Sequence, residues 1–324
     1  MTLTVRMQKI GGPEVLIAES VDVPPPAAGE VQLRQTVAGV NFVDIYHRTG
    51  LYPLPAYPAA LGVEGAGVVQ AVGSGVIAVK PGDRVGYAGL PAGSYAQVRN
   101  LPEARIVKLP EHISDVIAGS TLLRGLTAHM LLHKVFQVRK GHRVLVHAAA
   151  GGLGQLLCRW SKLLGAHVIA TVGSEHKVSL AQQAGADNVV LHTSSNWPRA
   201  IRDHLDGDGV DLAVDGIGGE TLGKTIGCVR PFGVVASMGQ VAGSIPDVPV
   251  TDLGPVRSIS LSRPSVIAYT NNPTLYKPAA DDLFQLLGIR PTNPVGAEYP
   301  LQEAARAQAD LAAGRTTGSV ILRC

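Results

Sequence analysis

The stretch VLVHAAAGGLGQLLCRW (Val144–Trp160) runs from apolar residues through a glycine-rich turn and back to apolar residues. Its first part is β-branched and apolar, as a strand covered on both faces must be. Its last part is a helix in pattern. A strand that turns on glycines into a helix aims unpaired backbone N–H groups, and the positive end of the helix dipole, at an anion seated on the turn. The spacing is that of G-x-G-x-x-G with Ala149 in place of the first glycine. Gly151 and Gly152 let the backbone approach a pyrophosphate, and Gly154 lets the helix pack closely on the strand. Alanine is small, so at Ala149 only the turn conformation is at stake. The turn Ala150, Gly151, Gly152, Leu153, Gly154 is therefore read as the phosphate cradle of a dinucleotide, because strand, turn and helix occur in the required order.

The next strand, HVIATVG, decides which dinucleotide. NAD-binding folds carry a carboxylate at its tip for the ribose 2′-hydroxyl. Here the tip is Gly173 and Ser174, with Lys177 a helical turn later and no acidic residue at the tip itself. A hydroxyl and an ammonium suit a 2′-phosphate, and each charge-assisted contact contributes about 1.5–3 kcal/mol. The cofactor expected is NADPH. This requires Glu175 to point away, and a plain solvated lysine is the alternative reading of Lys177.

Working outward, strands and helices alternate from about residue 121 to 260: EHKVSLAQQAG, NVVLH, VDLAVDG and GVVASMG follow the opening pair. Alternation of this kind means βαβ units and a parallel sheet covered on both faces. Residues 1–120 differ, being dense in Gly, Pro and Val. EVQLRQTVAGVN (Glu30–Asn41) alternates as a half-buried strand does, and VKPGDRVGY turns on Pro-Gly. That part reads as an antiparallel β unit. A helical pattern starts near Ser114. Beyond residue 260 the sequence gives a strand, a helix and a last short apolar strand, GSVILR. That strand either extends the parallel sheet or returns to the first domain, and the return is preferred because chain ends usually lie close together.

The bulk numbers agree with a globular protein of two domains. The chain has 324 residues, 46% apolar and 16% charged, with 28 Lys and Arg against 25 Asp and Glu. The charges are dispersed, which disfavours nucleic acid as the main partner. Three cysteines far apart, Cys158, Cys228 and Cys324, give neither a disulfide framework nor a CxxC zinc pattern. With no signal-peptide pattern and no apolar stretch long enough to span a bilayer, a cytoplasmic protein without membrane association is expected.

With these segments in order, AGVNFVDIYHRTGLYP, LGVEGAGVV, VKPGDRV, HAAAGGLGQ, AQQAGADNVV and RTTGSVIL, the chain resembles the medium-chain dehydrogenase/reductase superfamily, and within it the zinc-free, zeta-crystallin-like NADPH:quinone reductases. The resemblance covers essentially the full length. It implies an α/β fold in which a Rossmann doubly wound parallel sheet is inserted in a GroES-like, β-rich catalytic domain. The implied boundaries are 1–124 for the GroES-like domain, 125–261 for the Rossmann NADPH-binding domain, and 262–324 for the return. It also implies a homodimer built on an edge of the Rossmann sheet.

At the positions where zinc enzymes of the superfamily hold their catalytic metal stand Val40/Asn41, Val63 and the apolar TLL stretch, so no metal is expected. His129 and His133, spaced i,i+4, have no third ligand in the sequence. Without a Lewis acid an alkoxide has nothing to stabilise it, whereas a quinone or an activated alkene accepts hydride readily. The leading reading is an NADPH-dependent quinone reductase. The rivals are a reductase of activated C=C bonds (an enal, enone or enoyl thioester) with Tyr52 as proton donor, and, in another class, an RNA-binding or structural crystallin-like protein.

The resemblance places Asn41, Tyr46 and Tyr52 at the substrate near the nicotinamide. Asn41 there bonds a substrate oxygen or the ribose, and the tyrosines donate through their phenols while their rings pack on a planar substrate. The plainer alternative is packing tyrosines and a turn-fixing asparagine. Arg124 meets phosphate or substrate, or else forms a surface salt bridge; Thr127 meets the nicotinamide side. At the ends of later strands, Gly216, Gly239 and Gln240 are expected at the cofactor. Arg159 and His192 depart from the family pattern on the adenine side; His192 stands where some members have an aromatic residue. Cys158 reads as buried rather than reactive.

Overall fold

The computed structural model describes residues 1–289 and 295–324. The chain divides into two compact units, Met1–Leu126 with Val266–Cys324, and Thr127–Ser265.

The first unit opens with an antiparallel pair, β1 (Thr2–Met7) and β2 (Leu16–Val21). The long strand β3 (Glu30–Val40) follows and leads into α1 (Phe42–Thr49), which starts at Asn41 where the Asp44 carboxylate accepts the Asn41 backbone N–H. Next come β4 (Ala59–Ala60), β5 (Glu64–Val72), β6 (Arg84–Ala88), β7 (Val98–Pro102) and β8 (Ile106–Lys108). Alternation along β3 buries Val31, Leu33 and Val37, and Val85, Tyr87, Leu101 and Ile106 pack with Val31 and Leu33. The helix expected from Ser114 is α2 (Asp115–Met130), with the Ser114 hydroxyl accepting the Ile117 N–H. It ends in a wide π turn, Leu131–Val135.

The second unit runs β9 (Arg143–Val146), α3 (Gly152–Leu163), β10 (His167–Val172), α4 (Val178–Gln183), β11 (Asn188–Leu191) and α5 (Trp197–Asp203). It continues with β12 (Val210–Asp215), α6 (Thr221–Ile226), β13 (Val229–Ser237) and β14 (Ser260–Ser262). Among the described residues these strands form a six-stranded sheet in the order β11-β10-β9-β12-β13-β14, every neighbouring pair parallel. That is the doubly wound order, reversing between β9 and β12, and ligands bind beyond the carboxyl ends of strands at such a reversal. Leu145, Ile169, Trp197, Ile201 and Val235 are buried in its core.

The chain then re-enters the first unit through α7 (Val266–Asn271) and α8 (Pro273–Ile289). The sequence gives no helix for the segment before residue 290, and α8 corrects that expectation. Its signals were present: Asn272 accepts the Thr274 N–H as a cap, and proline occupies the first helical position, where its missing N–H costs nothing. Tyr276, Ala279, Ala280, Leu283 and Leu287 repeat at helical spacing and are buried. After β15 (Val295–Pro300) and α9 (Ala304–Ala312), the last strand β16 (Ser319–Arg323) pairs antiparallel with β3 and parallel with β15. Among the described residues no helix is long and apolar enough to cross a membrane.

Candidate functional site

The glycine turn sits at the carboxyl end of β9. Gly151 caps α3 with extended backbone and no side-chain cap hydrogen bond, so no capping side chain satisfies the first-turn N–H groups. A Cβ on Gly154 would lie 2.4 Å from the Ala148 carbonyl oxygen and 2.6 Å from Ala149 Cα. Both are backbone atoms, so only glycine lets α3 approach the strand this closely. Ala149, standing where the motif has glycine, is fully buried and donates its N–H to the Thr171 carbonyl at 3.0 Å. The left-handed residue is its neighbour Ala148, at φ +51°. The turn strain expected at Ala149 therefore falls one residue earlier, on an exposed methyl. A left-handed L-residue costs about 1–2 kcal/mol, part of which glycine returns through unfolded-state entropy. Ala148→Gly is expected to stabilise the protein by about 0.5–1 kcal/mol, read as a raised Tm in thermal unfolding.

Below the turn lies a buried network that the sequence reading missed. His147 Nδ1 stands 2.7 Å from Thr171 Oγ1 and Nε2 stands 2.9 Å from Thr225 Oγ1. Thr225 donates to Asp215 or to the Thr221 carbonyl, so its hydroxyl accepts from His147 Nε2–H and Thr171 donates to Nδ1. Burial pushes His147 down to about 4, which keeps it neutral. The other Asp215 oxygen accepts the N–H groups of Ile217 and Gly218 at 2.8 and 2.9 Å. One histidine thus ties the ends of β9, β10 and β12 together, the three strand ends that surround the switch point.

At the tip of β10, Gly173 and Ser174 lead into a 3-10 turn, Glu175–Lys177, in which Glu175 is exposed. The His192 ring stands over Gly173, its Nε2 3.4 Å from where a Cβ would be. Gly216 and Gly239 follow the ends of β12 and β13, and a Cβ on Gly239 would lie 1.9 Å from the Gly216 carbonyl oxygen. Close backbone packing accounts for Gly239; Gln240 follows it directly. Cys158 is buried on α3, its thiol pushed up to about 12 by burial.

In the first unit, Asn41 and Arg124 meet through a residue not singled out from the sequence, Glu64. Its carboxylate is fully buried. One oxygen accepts from Asn41 Nδ2 at 2.9 Å and pairs with Arg124 Nη1 at 3.3 Å; the other accepts the Leu123 N–H at 2.8 Å. Arg124 also donates to the carbonyls of Val40 and Ser120 at 2.8 and 2.9 Å. Burial raises the Glu64 carboxyl above its usual range, and Arg124 and the hydrogen bonds pull it back. Arg124 is thus held in a buried ion pair, and the surface salt bridge expected as one option is corrected. Thr127, one turn further along α2, is buried and falls in the other compact unit.

Next to this pair Asp44 is fully buried, accepting the Asn41 N–H and the Tyr95 hydroxyl, and burial raises it to about 7. Tyr95 in turn accepts from Gln308, which accepts from Arg48. The Asn41-x-x-Asp44 spacing was the available signal for this helix-start contact. Tyr46 and Tyr52 come together edge to face, centroids 5.3 Å apart, because the Tyr52 N–H bonds back to the Tyr46 carbonyl and His47 bonds the Tyr52 carbonyl. Tyr52 is 38% exposed.

Residues 27–111 match the alcohol dehydrogenase GroES-like domain family, and residues 152–281 match the zinc-binding dehydrogenase family. A quinone oxidoreductase of Pseudomonas aeruginosa is 39% identical over 325 residues, covering 99% of both chains. The chain belongs to the quinone oxidoreductase family of the medium-chain dehydrogenases/reductases. A 2-haloacrylate reductase from a Burkholderia species is similar at 36% identity over 330 residues, again with 99% of each chain covered. The crystal structure of the Escherichia coli quinone oxidoreductase complexed with NADPH superimposes with a TM-score of 0.96 at 35% identity, covering 99% of this chain and 100% of that one.

The description of the second matching family includes zinc, and the residues here do not fit that ion. At the positions that the resemblance assigns to the ligands stand Val40/Asn41, Val63 and the stretch Thr121, Leu122, Leu123, and the neighbouring carboxylate of Glu64 is already taken by Arg124, Asn41 and Leu123. Cysteine and histidine, which zinc requires beside such a carboxylate, are not among them. Among the described residues no group of three or more His, Cys, Asp or Glu side chains is placed to hold a metal.

Proposed function

We propose that the protein reduces quinones with NADPH as a zinc-independent oxidoreductase. The observation that carries the reading is the α3 start: a glycine cap without a side-chain acceptor, on a turn that only Gly154 permits, with Ser174 and Lys177 rather than a carboxylate at the next strand tip. Full-length likeness to quinone oxidoreductases, one of them solved with NADPH, supports the same reading. Bound NADPH supplies hydride to the acceptor.

The chain's own residues bind and orient. The first-turn N–H groups of α3 hold the pyrophosphate, and Ser174 and Lys177 hold the 2′-phosphate. Asn41 has two amide hydrogens; Glu64 takes one, which fixes the plane of the amide and leaves the other to donate to an acceptor oxygen. The faces of Tyr46 and Tyr52 support a planar substrate, and their phenols donate to its oxygens. A homodimer joined along β11 or β14, the edges of the parallel sheet, completes the proposal.

The test is turnover with NADPH of a 1,4-benzoquinone against a 2-haloacrylate. Preference for the quinone is expected. Turnover of the haloacrylate alone favours the second reading, a C=C reductase, which the Burkholderia relative supports. For the cofactor, Lys177→Ala is expected to raise the KM for NADPH about tenfold or more, one charge-assisted contact, while leaving that for NADH nearly unchanged. Equal losses for both cofactors sink the assignment.

A further inference from the structure

We propose that His47 is a positioning residue: a hydrogen bond from its ring to the Tyr52 carbonyl holds the Tyr52 ring at the angle in which it and Tyr46 receive a planar quinone. This deepens the reading of the two tyrosines given above and rests on it.

The geometry is built at the end of α1. Tyr46 and His47 are successive residues there, so their side chains leave the helix about 100° apart. Gly50, left-handed at φ +81°, ends α1 and turns the chain back. The Tyr52 N–H then reaches the Tyr46 carbonyl at 3.1 Å, and the Tyr52 carbonyl stands 2.8 Å from His47 Nδ1. A carbonyl oxygen only accepts, so Nδ1 carries the hydrogen and donates it. The two bonds fix the peptide planes on either side of the Tyr52 Cα, and with them the direction of its Cα–Cβ bond. The Tyr52 ring meets both neighbours edge-on, its centroid 5.3 Å from that of Tyr46 and 6.3 Å from that of His47.

The surrounding chain gives Tyr52 little other support. Residues 51–57 read LYPLPAY, and all but Leu54 are exposed. Pro53 and Pro55 have no N–H to donate. Leu54 packs against the core of the unit. Among the described residues, the hydrogen bonds that tie this segment to the rest of the unit are those of the Tyr52 N–H and carbonyl. Ordering an exposed tyrosine costs conformational entropy, and the ring bond from His47 offsets that cost before the substrate arrives.

His47 is suited to this task. Its side chain is buried, and Nε2 has no hydrogen-bond partner. With the hydrogen on Nδ1, the neutral ring presents a lone pair at Nε2; a second proton there would be an unmet buried donor. Burial holds the ring below its usual pKa, with the bond to Tyr52 opposing. The ring therefore stays neutral, in the tautomer that donates to Tyr52. Being buried, His47 acts through Tyr52 rather than on the substrate.

The experiment is steady-state turnover of 1,4-benzoquinone with NADPH, with thermal unfolding of each protein beside it. The variants are His47→Leu, His47→Gln, His47→Asn, Tyr52→Ala and the double variant His47→Leu with Tyr52→Ala. Asparagine places its amide nitrogen as far from Cα as Nδ1 is and can donate to the same carbonyl. Leucine has the same branching and no donor, and glutamine carries its nitrogen one atom too far. His47→Leu is expected to raise the KM for the quinone about fivefold, the worth of one aromatic contact, with kcat held to within about twofold. His47→Gln carries the same expectation should the leucine variant not fold. His47→Asn is expected to restore the KM to within about twofold of wild type. In the Tyr52→Ala background His47→Leu should add nothing to the KM, although its loss of Tm persists because the residue 52 carbonyl is still there. A purely structural histidine would not give that split. A wild-type KM in both His47→Leu and His47→Gln, a rise in His47→Asn as large as in His47→Leu, or additive losses in the double variant overturns the role of His47 and leaves the tyrosine reading standing. A wild-type KM in Tyr52→Ala overturns both.

Discussion

Replacing Glu64 with alanine is expected to cost about 3–5 kcal/mol of folding stability, the range for removing one partner of a buried ion pair. The carboxylate is fully buried and meets three donors: Arg124, the Asn41 amide and the Leu123 N–H. Without it the Arg124 guanidinium stays in the interior with two backbone carbonyls and has lost the carboxylate paired with it. The alternative of filling the space differently is closed, because a Cβ on Gly39 would lie 2.3 Å from a Glu64 oxygen, so β3 is bare there to receive the carboxylate. Glu64→Gln keeps the shape and removes the charge; it should cost nearly as much and should also raise the KM for quinone, since the Asn41 amide is no longer held. In the double variant Glu64→Gln with Arg124→Gln the cost should fall below the sum of the singles by about 1–3 kcal/mol. Denaturant unfolding of the four proteins measures this. Single variants within about 0.5 kcal/mol of wild type would show that the pair does not carry the interior of this unit.

That cluster also marks where sequence reading stops. The parallel sheet was legible because buried strands and amphipathic helices alternate with glycine punctuation, and Val144–Trp160 alone fixes strand, turn and helix. The missing helix α8 had its cap and its spacing in plain view, but Pro278, a residue that ordinarily breaks a helical pattern, disguised them. Pro278 is the sixth helical residue and leaves the Thr274 carbonyl without its i+4 N–H, a cost that the buried face of α8 outweighs. Site residues divide by the range of their contacts. Gly154 is legible, since its reason is a neighbour a few residues away. Glu64 is not, for its partners Asn41 and Arg124 lie far from it in the chain and only the folded unit brings them together. The His147 network is hidden for the same reason, its threonines coming from other strands and helices. Of the two settings expected for Arg124, the salt bridge forms but in the interior rather than at the surface, because an arginine's spacing carries no information about which carboxylate will meet it.

The two glycines of the turn are expected to fail in different ways. Gly154→Ala puts a methyl on the Ala148 carbonyl and Ala149 Cα, 2.4 and 2.6 Å away, and neither is the end of a flexible side chain. The start of α3 must move off β9. The strain is expected to cost about 1–3 kcal/mol of stability. Because the N–H groups that hold the pyrophosphate move with the helix, NADPH affinity should drop by about 100-fold, the scale of an ångström's misplacement. Gly151→Ala meets only the Ala148 oxygen, at 3.3 Å, and the extended backbone of Gly151, at φ −77° and ψ 169°, is one that alanine adopts freely. Its stability should stay within about 0.5 kcal/mol of wild type. Its NADPH affinity should nevertheless fall about tenfold, since the methyl stands where the backbone approaches the phosphate. Thermal unfolding and quenching or enhancement of NADPH fluorescence separate the two. If Gly154→Ala keeps both its Tm and its affinity, α3 does not need that close approach. If Gly151→Ala binds NADPH as wild type does, the phosphate does not lie on this turn, and the open helix end has some other use.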